Sequence, residues 1–123
     1  MSGVRVFVGG LETLSEGEAR VFRFRRRDRE LEGFLLRAPG AWVAYANVCP
    51  HWSVDLDLGS GSFWDPDCGR IACVNHGALF DPLTGICERG PCAGDALERF
   101  ELELEPSGSG AWVTIPGAEP SDP

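Results

Sequence analysis

Two short cysteine-histidine couplets constrain this 123-residue chain more than any other feature of its sequence. One residue separates Cys49 from His51, and after residues 52–72 the chain continues with Cys73 and His76. Thiolates and imidazoles in equal number suit a soft, tetrahedral metal site, so the candidates are zinc and an iron-sulfur centre with mixed ligands. We expect each couplet to form the tip of a hairpin-like loop, with the two loops side by side.

The spacing within the couplets separates the two candidates. A zinc ion usually takes two ligands from one loop when about two to four residues lie between them. The first couplet has a single intervening residue, a proline with a fixed φ, which directs the two side chains towards two neighbouring metal atoms. In a two-iron, two-sulfide cluster, Cys49 and Cys73 would bind one iron, while His51 and His76 would bind the other. The alternative is a Cys2His2 zinc module used for structure or partner binding.

Further short motifs follow the couplets in a fixed order. They are Gly77, Phe80-Asp81, Thr84-Gly85, Gly90-Pro91 and Leu97. Together with the couplets they resemble a Rieske ferredoxin over roughly residues 20–115. The resemblance implies an antiparallel, all-β Rieske-type β-sandwich with a small cluster-binding lobe formed by two loops, in which residues 90–91 cover the cluster. The gap between the couplets is longer than in compact ferredoxins of this kind.

The rest of the sequence also indicates antiparallel strands. Residues 20–25 and 99–105 alternate polar and apolar side chains, the period of half-buried strands. Shorter strand-like segments lie at residues 4–8, 33–37, 42–46, 70–74 and 111–115, with turns rich in glycine and proline between them. Residues 15–19 form a helical turn at most. We predict a single domain over residues 1–115, with the lobe at about 47–94 and a flexible tail at 116–123.

Composition narrows the possible functions. The net charge is −8, and residues 49–105 carry most of the acidic excess, which disfavours nucleic acid as a partner. The chain is too short for an additional catalytic domain of ordinary size. It has no apolar run near the roughly 20 residues that cross a bilayer, and no signal peptide. We expect a soluble, cytoplasmic monomer without a membrane partner.

The resemblance implies a ferredoxin that transfers single electrons. By resemblance, a flavin-containing NAD(P)H reductase supplies the electrons and a terminal oxygenase receives them. We predict no catalytic residues, because both histidines of the chain belong to the couplets and none remains for acid-base chemistry. The chain would be an electron-transfer component rather than an enzyme. A fixed Rieske subunit of a larger oxidoreductase complex is a second alternative.

The residues after His76 bear on the reduction potential. Respiratory Rieske proteins follow this histidine with Gly-Ser-x-Tyr, whose hydroxyl groups donate hydrogen bonds to cluster sulfurs and raise the potential. This chain has Ala78 and Phe80 at those two positions. The resemblance therefore implies a potential near the bottom of the Rieske range of roughly −150 to +300 mV. As a hypothesis, Ala78→Ser raises it.

Three cysteines lie outside the couplets. Cys87 and Cys92 could form a small disulfide across the Gly-Pro turn, or they could remain thiols. We expect Cys68 to be a small buried residue.

Overall fold

The computed structural model describes residues 3–50, 56–57, 62–73, 77–90 and 93–119. Its described part is built almost entirely from antiparallel strands in two sheets. The strands are β1 (Gly3–Gly9), β2 (Ala19–Arg26), β3 (Arg29–Ala38), β4 (Ala41–Ala46), β5 (Trp64–Asp65), β6 (Arg70–Ala72), β7 (Leu79–Phe80), β8 (Cys87–Arg89), β9 (Arg99–Leu104) and β10 (Gly110–Pro116). The body has six strands in the order β1-β10-β9-β4-β3-β2, and the lobe has four in the order β5-β6-β7-β8. The predicted all-β fold with a small lobe is confirmed.

The alternating segments form β2, at one edge of the six-stranded sheet, and β9, in its interior. On β2, Phe22 and Phe24 are buried while Arg23 between them is exposed. On β9, Phe100 is buried and Glu101 and Glu103 face solvent. One face of each strand therefore packs on the core of the body, as period-2 alternation predicts.

The β3–β4 hairpin separates two hydrophobic cores. Phe34 and Leu36 of β3 pack into the core of the lobe, whereas Leu35 between them packs into the core of the body. On β4, Tyr45 faces the lobe and Ala44 faces the body. Because both faces are buried, this hairpin has continuous apolar runs instead of alternation. The lobe therefore rests on a wall that it shares with the body.

The additional residues between the couplets include a short hairpin. Strands β5 and β6 pair antiparallel, and the turn between them is closed by the Asp65 carboxylate, which accepts the amide protons of Asp67 and Cys68. Phe63, directly before β5, is buried and stacks on Phe34 at 4.1 Å between ring centroids. This aromatic pair attaches the hairpin to the shared wall.

A 3-10 helix at Leu11–Thr13 was not expected. Residues 15–18 form a single turn, in which the Glu18 amide donates to Ser15 O at 2.9 Å, and the Gly17 amide donates to Arg37 O of β3 at 2.7 Å. One local expectation was wrong. Cys68 is exposed instead of buried, because it lies in the β5–β6 turn.

The end of the chain continues along the body beyond β10. Ala118 is buried in the body core, and the amide of Glu119 donates to Arg25 O at 2.7 Å. Pro116 thus pairs with Gly3 of β1, and Glu119 pairs with Arg25 of β2. The domain boundaries, including the tail at 116–123, stay a prediction. No helix within the described ranges is long and apolar enough to cross a membrane.

Candidate metal centre

The first couplet begins just after β4. The amide of Ala46 donates to Glu98 O and that of Asn47 donates to Glu32 O, each at 2.9 Å, and the chain then leaves the sheet. Cys49 follows, with 1% of its surface exposed, inside the lobe core. A buried thiol at a strand end points into the protein, where a metal would be shielded from water.

The second couplet begins at the end of β6. Cys73 directly follows β6, and its amide donates to Ala78 O at 2.9 Å. Its own carbonyl accepts the amide proton of Gly77, also at 2.9 Å. Cys73 is 1% exposed and packs in the same lobe core as Cys49. Two strand ends thus bring both cysteines into one apolar environment.

The predicted ligand set is only partly within the described residues. Cys49 and Cys73 are described, whereas His51 and His76 lie outside the described residues. Within the described ranges, no group of three or more His, Cys, Asp or Glu side chains could hold a metal ion. Two sulfur donors buried in one apolar core nevertheless fit a soft metal centre, because thiolates in such surroundings need a cation as partner.

Gly77 lies where the chain enters β7. Its amide donates to Cys73 O at 2.9 Å. The backbone has a φ of +69°, a conformation that side chains with a Cβ rarely adopt. Glycine is therefore required here by the backbone conformation, which turns the chain back into β7.

Gly90 lies against Ala78, shortly after the second couplet, and the role of residues 90–91 in covering the cluster stays a prediction. A Cβ on Gly90 would lie 2.8 Å from the Ala78 Cα, and its φ is +109°. The segment is held at its base by Cys87, whose amide donates to Asp95 O at 2.7 Å and whose carbonyl accepts from Gly94 at 3.0 Å. Pro91 and Cys92 lie outside the described residues, so the disulfide between Cys87 and Cys92 stays a prediction.

Tyr45 fixes the turn that follows β7. Its hydroxyl donates to Pro82 O at 2.8 Å, and a Cβ on Gly85 would lie 2.7 Å from its ring. Burial raises the pKa of Tyr45 to about 12, with Arg99 opposing the shift and Asp81 adding to it. The phenol therefore remains a neutral donor, and it connects the shared wall to the lobe.

Sequence reasoning did not identify Asn47, which is 1% exposed. Its side-chain oxygen accepts the Leu56 amide proton at 2.9 Å, and its side-chain nitrogen donates to Asp57 at 3.0 Å and to Glu32 at 3.3 Å. A buried asparagine two residues before a candidate ligand joins the two ends of the loop that carries the couplet. The only sequence signal is a polar residue at the end of an apolar strand.

Comparison with known proteins agrees with this geometry. A family model described as the Rieske [2Fe-2S] domain matches residues 5–101. Apoptosis-inducing factor 3 from Mus musculus and from Homo sapiens are each 34% identical over 71 residues, which cover 58% of this chain and 11% of theirs. The chain thus spans about a tenth of the length of these curated relatives.

Solved structures show the same fold. The ferredoxin of carbazole 1,9a-dioxygenase from Nocardioides aromaticivorans IC177 has a TM-score of 0.64 at 23% identity, over 92% of this chain and 97% of its own. A Mycobacterium tuberculosis protein described as a small subunit of an NADH-dependent nitrite reductase has a TM-score of 0.61 at 17% identity, over 93% and 96%. The family match also removes the zinc module as an alternative. The chain belongs to the Rieske [2Fe-2S] domain family, whose cofactor is a [2Fe-2S] cluster used in electron transfer.

Proposed function

We propose that this protein is a mobile Rieske ferredoxin whose cluster is held by Cys49 and Cys73 on one iron and by His51 and His76 on the other. The observation that carries the assignment is the pair of buried cysteines, each beyond a strand end and both in the lobe core. When bound, the cluster supplies a site that accepts and donates one electron.

The residues around this site have two tasks. The apolar side chains of the lobe core exclude water from the two sulfur ligands. The backbone pair between Cys73 and Ala78 and the side chain of Asn47 hold the two loops in place. A site whose ligands move little when the charge changes loses little energy to reorganisation, which suits a carrier that is reduced and oxidised repeatedly.

The first experiment is EPR spectroscopy of the dithionite-reduced, anaerobically purified protein, with iron, sulfide and zinc measured on the same sample. A rhombic signal with equal iron and sulfide supports the assignment, and a silent sample containing one zinc ion contradicts it. Cys49→Ser and His51→Ala should each abolish the signal. Cys68→Ser is the matched control, because Cys68 is exposed in the β5–β6 turn and should leave the signal unchanged.

The proposed partners are a flavin-containing NAD(P)H reductase and a terminal oxygenase. The proposal is supported by the resemblance of fold to the ferredoxin of carbazole 1,9a-dioxygenase. The test is reconstitution: with a reductase and an oxygenase of this type, NADH oxidation and substrate oxygenation should both depend on the loaded protein. Turnover that is equally fast with the Cys49→Ser variant would exclude a carrier role in that system.

A second candidate is a Rieske unit fixed within a larger oxidoreductase. The observation that favours it is that the matching region of the curated relatives is only 11% of their length, so this domain type also occurs inside long chains. Size-exclusion chromatography of the protein in lysate separates the two candidates. Elution at the size of the 13.3 kDa chain supports a mobile carrier, and stable co-elution with a larger flavoprotein supports the fixed unit.

A further inference from the structure

Asn47 is one of two polar or charged residues among the described buried ones, and the other is its partner Asp57. They are 1% and 2% exposed. A buried carboxylate and a buried amide are costly unless they are paired, and these two pair with each other at 3.0 Å between Nδ2 and Oδ1. The pair lies at the edge of the lobe core, because Asn47 also contacts the partly exposed Glu32 and Asp57 directly follows the core residue Leu56.

The position of the pair relates it to the first couplet. Asn47 lies at the end of β4, two residues before Cys49, and Leu56 and Asp57 lie where the chain returns after His51. The amide proton of Leu56 is accepted by Asn47 Oδ1 at 2.9 Å, so one side chain bonds both to a backbone group and to a side chain at the far end of the loop. Leu56 itself packs in the same core as Cys49 and Cys73.

The two ligand loops are closed in different ways. The second is short, and backbone hydrogen bonds around Cys73 close it. The first runs from Asn47 to Leu56, and there a side chain joins the ends. Longer loops lose more entropy when they are ordered, so the first loop depends more on this closure than the second loop does on any side chain.

The Asn47 side chain also lies between two acidic residues. The Asn47 amide group donates to two carboxylates, those of Asp57 and Glu32, at 3.0 and 3.3 Å. Glu32 is partly exposed and lies 3.8 Å from Arg23, whereas Asp57 is buried. When ionised, a carboxylate as buried as that of Asp57 is weakly screened by solvent, and its charge then opposes the addition of a further negative charge on reduction.

We infer that Asn47 and Asp57 form a clamp that positions the first ligand loop and, through the Asp57 carboxylate, lowers the reduction potential of the centre. This inference rests on the proposed function for its second half. Asn47 is a positioning residue, because it acts through the loop and not by contact with the cluster.

The test uses the full chain and four variants: Asn47→Ala, Asn47→Asp, Asp57→Asn, and the double variant Asn47→Asp/Asp57→Asn. Asn47→Asp keeps an acceptor for the Leu56 amide but places a carboxylate against Asp57. The double variant exchanges donor and acceptor between positions 47 and 57 and restores the net charge, but it places a carboxylate against Glu32 at position 47. Glu103→Gln is the charge control, because Glu103 is exposed on β9 in the body.

We expect Asn47→Ala and Asn47→Asp to lose iron to a chelator about tenfold faster than the wild type. Asn47→Ala loses the hydrogen bonds that close the loop, and Asn47→Asp replaces the bond to Asp57 by repulsion between two carboxylates. The double variant should lose iron more slowly than Asn47→Asp, because the pair between positions 47 and 57 is restored. Asp57→Asn should raise the midpoint potential while the control Glu103→Gln leaves it unchanged. A double variant that loses iron as fast as Asn47→Asp would overturn the inference that the pair positions the loop. A midpoint potential of Asp57→Asn equal to that of Glu103→Gln would overturn the inference that Asp57 lowers the potential.

Hydrogen exchange at the Leu56 amide separates this inference from the proposed function. It should be slow in the wild type and fast in Asn47→Ala, while exchange at Cys73 stays slow in both, whatever metal the protein holds. Equal exchange at Leu56 in both proteins contradicts the clamp. A wild-type protein with this exchange pattern but without the rhombic EPR signal contradicts the proposed function alone.

Discussion

The body and the lobe both consist of antiparallel strands, but different interactions stabilise them. The body has strands of six to ten residues whose pairing buries one continuous core. The strands of the lobe have two or three residues, and its described hydrogen bonds come largely from turns and side chains. Short strands contribute few ladder bonds, so the lobe depends on what it contacts: the shared wall and, as proposed, the cluster. The comparison yields four predictions, from the largest expected effect to the smallest.

Removing the cluster should affect the two regions unequally. After anaerobic treatment with a chelator, we expect amide protection to collapse at Cys87 and Leu97 of the lobe, because a metal bound only by the folded lobe stabilises that lobe. Protection at Phe22 and Val113 of the body should persist. Hydrogen exchange followed by mass spectrometry measures both regions in one sample. Equal loss of protection in both regions would mean that body and lobe form one cooperative unit.

Two neighbouring residues of β3 can be compared directly, since Phe34 and Leu35 are both fully buried but face different cores. Phe34→Ala should destabilise the lobe by about 3–5 kcal/mol and accelerate iron loss. Leu35→Ala should lower the free energy of unfolding of the body by about 2–5 kcal/mol. Denaturant titrations followed by far-UV circular dichroism and by cluster absorbance separate these effects. Indistinguishable iron-loss rates in the two variants would argue against separate cores.

Tyr45 predicts a pH dependence of stability. Its pKa is about 12 in the folded protein against 10.0 for the free group, so the unfolded chain loses this proton first as the pH rises. The raised pKa therefore contributes about 2–3 kcal/mol to the free energy of unfolding below pH 10, and this contribution is lost as the pH rises from 10 to 12. Tyr45→Phe should be about 1 kcal/mol less stable at neutral pH, through the lost bond to Pro82, but lack this decline. Denaturant unfolding of the wild type and of Tyr45→Phe between pH 10 and 12 measures this decline. An equal loss of stability in both proteins would mean that other groups cause it.

The smallest effect concerns the potential. Ala78 is fully buried beneath Gly90, so a serine hydroxyl there has little access to water and needs a partner. Ala78→Ser should raise the midpoint potential by tens of millivolts through a hydrogen bond to a cluster sulfur. Protein film voltammetry measures the shift, with Ala78→Val as a control that adds bulk without a donor. An unchanged reduction potential in Ala78→Ser would contradict the explanation that the missing hydroxyl group at position 78 keeps the potential low.

The same contrast explains what could be predicted from sequence. The long strands of the body were predicted because alternation along residues 20–25 and 99–105 reports a buried and a solvated face. Strands β7 and β8 were not, because two or three residues are too few for a period to be visible. Cys49 and Cys73 were singled out by motif and are buried as a metal site requires, while the ligand roles of all four residues stay predictions. The position of Asn47 could not be predicted, since its partners are up to 15 residues away.

The shared β3–β4 wall limits how proteins built like this one can change in length. Successive residues of β3 alternate between the two cores. Inserting or deleting one residue within β3 would therefore turn the side chains beyond that point to the opposite face and disrupt the packing of both cores. The turn between β5 and β6 lies outside the β3–β4 hairpin and is under no such restriction. Differences in length among related chains should therefore accumulate at the turns of the lobe. Transfer of a lobe to another scaffold should succeed only when the β3–β4 hairpin is transferred with it.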